Sequence, residues 1–371
     1  MMESLNFTDE PGPPWLPLLQ RPYDNIFGPK NIWDLRMADG TAVRIERGSQ
    51  GLNNNLYRVR FGGSVFACKL FVVDERQRAQ REWSAVRSVR AAGFRLAPEP
   101  VAFAPNGPLP QPAIVYHWVA GQPLSAQALL TDDLVALIES IGYIHRTAPA
   151  VDVEMSVAWR QPEDYASYLA EIEVFQRDVR DWVASAHAAA ADLPSWAADL
   201  PELLPLIQAT VESTERAVAS ASDCGACPTP ALVRVEGNLD SIVRDEAGRI
   251  VFLDWESSGW GDPAYDLAEL RWHPRALSIE PDKWRTAVET YVPHPQDATF
   301  WERLSVYDQL LPAWWLGRSA VHLLEGARQA MGRQRLVAVP TRLYRSVRIQ
   351  IDNYLYALGL IAAEEADSDN E

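Results

Sequence analysis

Within Ile250-Val-Phe-Leu-Asp-Trp-Glu-Ser-Ser-Gly-Trp-Gly-Asp-Pro-Ala-Tyr-Asp-Leu-Ala-Glu-Leu270 an apolar run gives way to spaced carboxylates. The run Ile250–Leu253 reads as a strand that delivers Asp254 to its end. Glu256, two residues on, points the same way while the backbone stays extended. Carboxylates gathered at a strand end suit Mg²⁺, which takes hard oxygen ligands and keeps several waters. Asp262 and Asp266 stand four apart where Pro263 opens a helix. An acid there also serves as a cap, so one or both can be structural.

Further upstream, from Ile32 to Val73, apolar residues recur with a period of two. Thr41–Arg47, Asn55–Phe61 and Val65–Val73 read as strands of an antiparallel meander, joined by Gly48-Ser-Gln-Gly51 and by Gly62-Gly63. A helix follows, with Asp74 as its cap, Ala79, Trp83, Val86 and Val89 as its apolar stripe, and Gly93 at its end. After the proline-rich stretch Pro98–Pro112, Ala113–Val119 makes one more strand. Lys69 sits mid-strand between Cys68 and Leu70, where an unpaired ammonium is costly to bury. Glu82 on the next helix can supply the anion; an edge lysine facing water is the alternative. The turn Arg47-Gly-Ser-Gln-Gly-Leu-Asn-Asn-Asn55 can lay backbone N–H groups over phosphates or serve as a plain hairpin.

Composition narrows the classes. The chain has 371 residues, 47% of them apolar, and 14 tryptophans, which exclude disorder as its main state. The balance of 34 basic against 50 acidic residues, a net charge of −16, argues against nucleic acid or an anionic membrane as partner. Lysine occurs only at 30, 69 and 283, the other basic residues being arginine, a bias expected of a bacterial, Arg-codon-rich source. Each retained lysine is therefore of interest. The cysteines Cys68, Cys224 and Cys227 make no disulfide framework. The start reads as no signal peptide and no apolar run reaches membrane-spanning length, so a cytoplasmic protein is expected.

Helices dominate from Leu129. Leu134, Ile138, Ile141 and His145 share one face, and Tyr165, Leu169, Ile172, Phe175, Val179 and Trp182 form a longer stripe. The β signal returns only at Ala231–Val235 and Ile250–Asp254. The expected division is an arm at 1–30, a β-rich lobe at 31–120, a helical lobe at 121–361 and an acidic tail at 362–371.

The segment 250–270 resembles the metal-binding stretch of the aminoglycoside phosphotransferase and choline-kinase-type small-molecule kinases. Glu46-Arg-Gly-Ser-Gln-Gly-Leu-Asn-Asn-Asn-Leu-Tyr-Arg-Val-Arg-Phe61 is similar to their phosphate loop, Ala67-Cys-Lys-Leu-Phe71 to their ATP-binding lysine strand, and Arg81–Phe94 to the helix with its glutamate. Ile114–Leu124 resembles the hinge, and Leu232–Val243 occupies the catalytic-loop position. The resemblance implies an α+β, two-lobed protein-kinase-like fold, a small antiparallel-sheet N-lobe and a larger, mainly helical C-lobe, using ATP and Mg²⁺. It implies that Lys69 holds the α/β-phosphates, that Glu82 orients Lys69, and that Ser49, Gln50, Gly51 and Asn53 cover the triphosphate. Backbone groups of His117 and Val119 would bind adenine beside Tyr116, and Asp254 would be the main Mg²⁺ ligand. Asp266 resembles the aspartate that braces the catalytic loop.

The catalytic loop departs from the family's His-Gly-Asp, four residues, then Asn. Without gaps, Glu236 takes the aspartate's place as base and Ser241 the asparagine's as a weaker Mg²⁺ ligand, with Asp240 as an alternative donor. A gapped match sets Gly237-Asn238 on Gly-Asp. A carboxylate one methylene farther out can lower the rate on the order of a hundredfold. The expected function is phosphoryl transfer to a hydroxyl of a small molecule. Glu163, Asp164, Glu171 and Glu173 are suited to a cationic one, an amino sugar or a quaternary amine. The competing expectation is a pseudokinase that binds nucleotide or a partner without transfer. Cys224 and Cys227 have redox or zinc spacing but no second pair. His145 reads as a core histidine, and Arg342, Arg345 and Arg348 as a solvated face.

Overall fold

The computed structural model describes residues 12–20, 22, 31–48, 54–107, 109–150, 154–159, 165–187, 200–220, 227, 229–331 and 349–356. Its main sheet is antiparallel, with strands in the order β1-β2-β3-β4-β6-β5. These are β1 (Ile32–Arg36), β2 (Ala42–Arg47), β3 (Asn54–Phe61), β4 (Ser64–Phe71), β5 (Pro100–Ala104) and β6 (Ala113–His117). Gly62 and Gly63, at φ 58° and 80°, join β3 to β4 with Phe61 paired to Ser64. This two-residue turn matches the twist of its strands and favours glycine at both positions. β5 escapes the period-two pattern because it lies in the proline-rich stretch. It is an edge strand that begins at Pro100, where a missing N–H does least harm.

Alternation divides the sheet's side chains between two faces. Cys68, Leu70, Ala113 and Val115 join Trp33, Ile45 and Val59 in one core, closed by Trp15, Leu16 and Leu19 from the N-terminal segment. The opposite face carries Ala67, Lys69, Ile114 and Tyr116, cross-strand partners of one another. Helix α1 (Arg78–Ala91) lies against β5 and β6, with Trp83 stacked on Phe103. Asp74 does not cap α1 as its spacing predicts. The helix opens behind Gln77, at φ 51°, while Asp74 accepts from Arg76 N–H (3.1 Å) and Arg78 Nε (3.0 Å). Gly93, at φ 84°, ends the helix as expected, returning its N–H to Arg90 O at 3.0 Å.

The chain divides into two compact units. The first adds to this sheet residues up to 160, 231–261 and 285–292. There β7 (Gly121–Pro123), β9 (Ile242–Asp245) and β10 (Ile250–Phe252) form a small sheet, and β8 (Ala231–Val233) pairs with β11 (Gly259–Gly261). Helix α2 (Thr131–His145) packs on β8 and β10. β8 and β10 are three residues long and buried throughout, so no alternation marks their faces. In the second unit α3 (Tyr165–His187), α4 (Leu200–Ser220) and α5 (Pro263–Trp272) each pack on α7 (Phe300–Met331), and α6 (Pro281–Val288) spans the division. Asp262 is structural: it caps α5 through Ala264 N–H (2.9 Å) and holds the fully buried Arg303, which Asp297 grips from the other side. Cys227 lies 3.6 Å from Arg303 Nη2, and burial, then the charge of Asp262, pushes its thiol up to about 12. Cys224, Glu163, Asp164, Arg342, Arg345, Arg348 and the tail from 362 lie outside the described residues. No helix among the described residues is long and apolar enough to cross a membrane.

Trp15 is fully buried, but its indole N–H has no partner, so its contribution is packing. Trp15→Ala is expected to lower stability by about 3–5 kcal/mol and Trp15→Phe by much less. Urea unfolding of the three proteins measures this; a negligible loss in Trp15→Ala would assign the packing to other residues of the segment, and equal large losses would show that more than packing is involved.

Candidate active site

Lys69 lies on β4 between Leu56 of β3 and Ile114 of β6, on a strand with neighbours on both sides. The edge-lysine reading therefore falls, and the ammonium must find its anions on the sheet face. It finds three. Nζ is 2.7 Å from Glu82 Oε2, 2.6 Å from Asp254 Oδ1 and 3.7 Å from Glu256 Oε2, and only 13% of the side chain is exposed. Glu82 comes from the second turn of α1, and Asp254 and Glu256 from the segment after β10.

Each carboxylate has further support. Glu82 accepts the Tyr116 hydroxyl at 2.9 Å and the Trp255 N–H at 3.2 Å. Glu256 is held by Arg78 Nη1 and by Asn54 Nδ2. Arg78 is buried and is itself oriented by Asp74. Read from the sequence, Arg78 has no role and Asn54 stands only in the turn over the phosphates. Arg78 did leave a signal, since it precedes Glu82 by one helical turn and shares its face.

Burial alone would strip Lys69 of its proton. The charges of Asp254, Glu82 and Glu256 outweigh it and raise Lys69 well above the ordinary lysine value. For Asp254, burial favours the neutral acid, but Lys69 overcomes it, with help from Arg234 and Arg78, and holds the carboxyl below its ordinary value. Burial raises Glu82, and Lys69 offsets it only in part. The candidate ligand oxygens of Glu82, Asp254 and Glu256 lie within 4.8 Å of one another. Asn54 Oδ1, next to Glu256, is buried without a partner. Carboxylate and amide oxygens in one place are a donor set that fits Mg²⁺.

The catalytic-loop candidates follow β8. Arg234 stacks over Phe252 at 5.3 Å, donates to Leu253 O at 3.1 Å and also to Glu236 O, tying this loop to the strand end before Asp254. Glu236 is half-buried, and its Oε1 accepts the Asn238 N–H at 3.1 Å. Ser241 O accepts the Leu253 N–H at 2.7 Å, which sets Ser241 beside the residue preceding Asp254. Val235 has φ 53°, whereas Gly237 is not among the glycines of positive φ. A β-branched residue there is a steric outlier, so the backbone asks for glycine at 235. In the ungapped register Val235 is the residue set on the family's glycine and Glu236 the one set on its aspartate. Among the described residues the non-glycine positions of positive φ are Gln77, Val235 and Asp254. They adjoin Arg78, Glu236 and the Lys69 contact, as backbone strain at functional sites tends to do.

In the hinge-like segment, His117 N–H is used on Glu99 O (2.9 Å) and Trp118 N–H on Val65 O (2.9 Å). The Tyr116 hydroxyl turns inward to Glu82. Val119 is half-buried and His117 exposed. Ser49, Gln50, Gly51 and Asn53 lie outside the described residues. A cavity of about 530 Å³ beside this segment is lined by Arg90, Arg95, Glu99, Asp245 and Arg249 among others, and by none of the three carboxylates.

Residues 44–292, well over half of the chain, match the family model described as "Phosphotransferase enzyme family". The chain belongs to this phosphotransferase family. Its fold is likewise that of the family's kinase-like members. It is similar to a spectinomycin phosphotransferase solved with ADP and spectinomycin (TM-score 0.59, 12% identity, covering 86% of this chain and 94% of the other). A choline/ethanolamine kinase family protein from Mesorhizobium loti has a TM-score of 0.53 at 17% identity over 87% and 89% of the two chains. An aminoglycoside phosphotransferase from Alicyclobacillus acidocaldarius has 0.53 at 14% over 85% and 90%. At such identities the likeness is one of fold. No curated protein matches the sequence.

Lys69→Met would leave three clustered carboxylates with only Arg78 and Arg234 to offset them. Their folded-state pKa values would then exceed the unfolded ones, so stability would fall as pH rises above the ordinary carboxylate range. The expected loss is about 3–5 kcal/mol at pH 8 and clearly less at pH 5, read from denaturant midpoints. An equal loss at both pH values would show that Lys69 does not govern these acids.

Proposed function

We propose that this phosphotransferase moves the γ-phosphoryl group of a nucleoside triphosphate, expected from the sequence to be ATP, to a hydroxyl of a small molecule with the aid of Mg²⁺. The supporting observation is the position of Lys69 Nζ between Glu82 and Asp254, at 2.7 and 2.6 Å. An ammonium held by a helix glutamate is the grip such enzymes place on the α/β-phosphates. Glu82, fixed by Tyr116 and by the Trp255 N–H, keeps Lys69 in position, and the contact to Asp254 is the one that phosphate and metal would replace. Asp254 would be the main Mg²⁺ ligand and Ser241 a weaker one, with Glu256 and Asn54 Oδ1 as further oxygens; bound there, the ion would neutralise charge developing on the phosphates.

Glu236 would accept the proton of the acceptor hydroxyl. The acceptor oxygen bonds to the γ-phosphorus as the bond from phosphorus to the bridging oxygen breaks, and the nucleoside diphosphate leaves with that electron pair. Arg234 sets the height of Glu236 by holding its carbonyl beside Leu253, between the end of β10 and Asp254. Ser49, Gln50, Gly51 and Asn53 would cover the triphosphate, and the His117 carbonyl and Val119 N–H would meet the base. The preference for a cationic acceptor rests on the sequence alone; Glu171 and Glu173 are exposed on α3, and Glu171 accepts the Trp314 indole N–H at 2.8 Å. If reversing both charges left KM for amino sugars and quaternary amines unchanged, that preference would be dropped.

A pseudokinase remains the second reading. Its support is the bond from Asn238 N–H to Glu236 Oε1, which occupies the candidate base, together with the serine at 241. The deciding experiment is transfer from γ-labelled triphosphate to a panel of alcohols. Activity is expected in the native chain, lowered roughly a hundredfold or more by Asp254→Asn. Activity only after Glu236→Asp with Ser241→Asn would establish the pseudokinase.

A further inference from the structure

The sheet face that carries Lys69 holds a second cation. Arg58 on β3 stands directly opposite Ala67 on β4, and Ala67 opposite Tyr116 on β6. Cross-strand partners share a face, and so do residues two apart on a strand. Arg58, Ala67, Lys69 and Tyr116 therefore line one surface. Trp118, held through its N–H to Val65 O at 2.9 Å, continues the row past the end of β6. The side chain of Arg58 reaches across β4 and sets its guanidinium 4.7 Å from the centre of the Trp118 ring. Beneath it, Ala67 contributes only a methyl group.

Arg58 Nε is buried and has no hydrogen-bond partner. The acid opposite Arg58 on β2, Glu46, is engaged by Arg44 at 3.0 Å and by Arg60 at 3.6 Å. The result is a planar group that can only donate, stacked on an indole, with a buried N–H left unanswered. Such a surface fits a flat ring that presents acceptors on its edge.

We infer that Arg58 reads the base of the bound nucleotide and that a 6-oxopurine, guanine or hypoxanthine, is preferred to adenine. The inference rests on the reading of Lys69 as the phosphate clamp, because that places the base farther along the same face. A guanine offers O6 and N7, two acceptors side by side, which a guanidinium meets with two donors. Adenine sets its N6 amino group beside N7, so donor would meet donor, and Arg58 has no acceptor with which to answer it. The base then differs from the adenine expected from the sequence.

The test is isothermal titration of the full-length native chain and of Arg58→Met with GTP, ITP and ATP, each with Mg²⁺. ITP shares O6 and N7 with GTP but lacks the 2-amino group, so it isolates the edge that Arg58 would read. The native chain is expected to bind GTP and ITP roughly tenfold or more tightly than ATP, and Arg58→Met to remove most of that ratio. Native affinity for ATP equal to or above that for GTP would overturn the inference, whether or not the variant folds. So would a variant that keeps the ratio, or one that binds all three more tightly to the same degree, since Arg58 would then merely fill the slot. Binding of no triphosphate would bring down the phosphotransferase reading itself, and the inference with it; the other failures leave that reading in place.

Discussion

A buried ammonium with three carboxylates around it organises the first unit of this protein. Lys69 lies in the middle of a six-stranded sheet, where solvent cannot stabilise its charge, so α1 and the segment after β10 must bring theirs. Glu82 fixes the rotation of α1, with Tyr116 and the Trp255 N–H holding its oxygens from either side. Arg78 offsets part of the remaining negative charge by taking Glu256, and Asp74 in turn orients Arg78. Buried ion pairs add little net stability over a hydrophobic core of the same shape, yet removing one partner is severe. The constellation is thus a determinant of geometry rather than a reserve of stability.

Much of this was legible in the residues. The period-two alternation from Ile32 to Val73 requires strands, and lysine is so rare here that its presence mid-strand called for an acid close by. Glu82, one helix away, is the partner that the sequence offers; the contact to Asp254, read there as a metal ligand, is visible only in the fold. Less visible were short elements such as β8 and β10, because three fully buried residues have no face to alternate, and β5, hidden among prolines. Asp74 misled because an acid ahead of a helix usually caps it; here the tie to Arg78 prevails and Gln77 turns left-handed instead. Arg58 went unnoticed for a different reason. Its significance depends on Ala67 and Trp118, residues that are neighbours only once three strands are aligned.

The backbone carries its own record of the site. Val235, at φ 53°, occupies a conformation that costs a β-branched residue about 1–2 kcal/mol. The bonds from Arg234 to Leu253 O and Glu236 O clamp the loop on both sides of that residue and hold it in place. The backbone thus follows at Val235 a path that glycine would take without cost, and side-chain bonds rather than local preference keep it there.

The pairing of Lys69 with Asp254 joins residues 185 apart in the chain. During synthesis at about 5–20 residues per second, the lysine leaves the ribosome on the order of ten seconds or more before its second counter-ion. Over that interval the sheet and α1 can assemble, but they enclose an ammonium answered only by Glu82. The N-terminal part is thus electrostatically incomplete until the later segment arrives. A nascent chain stalled between the two would present a nearly finished sheet with its charged face still open, the state in which a chaperone would have most to hold.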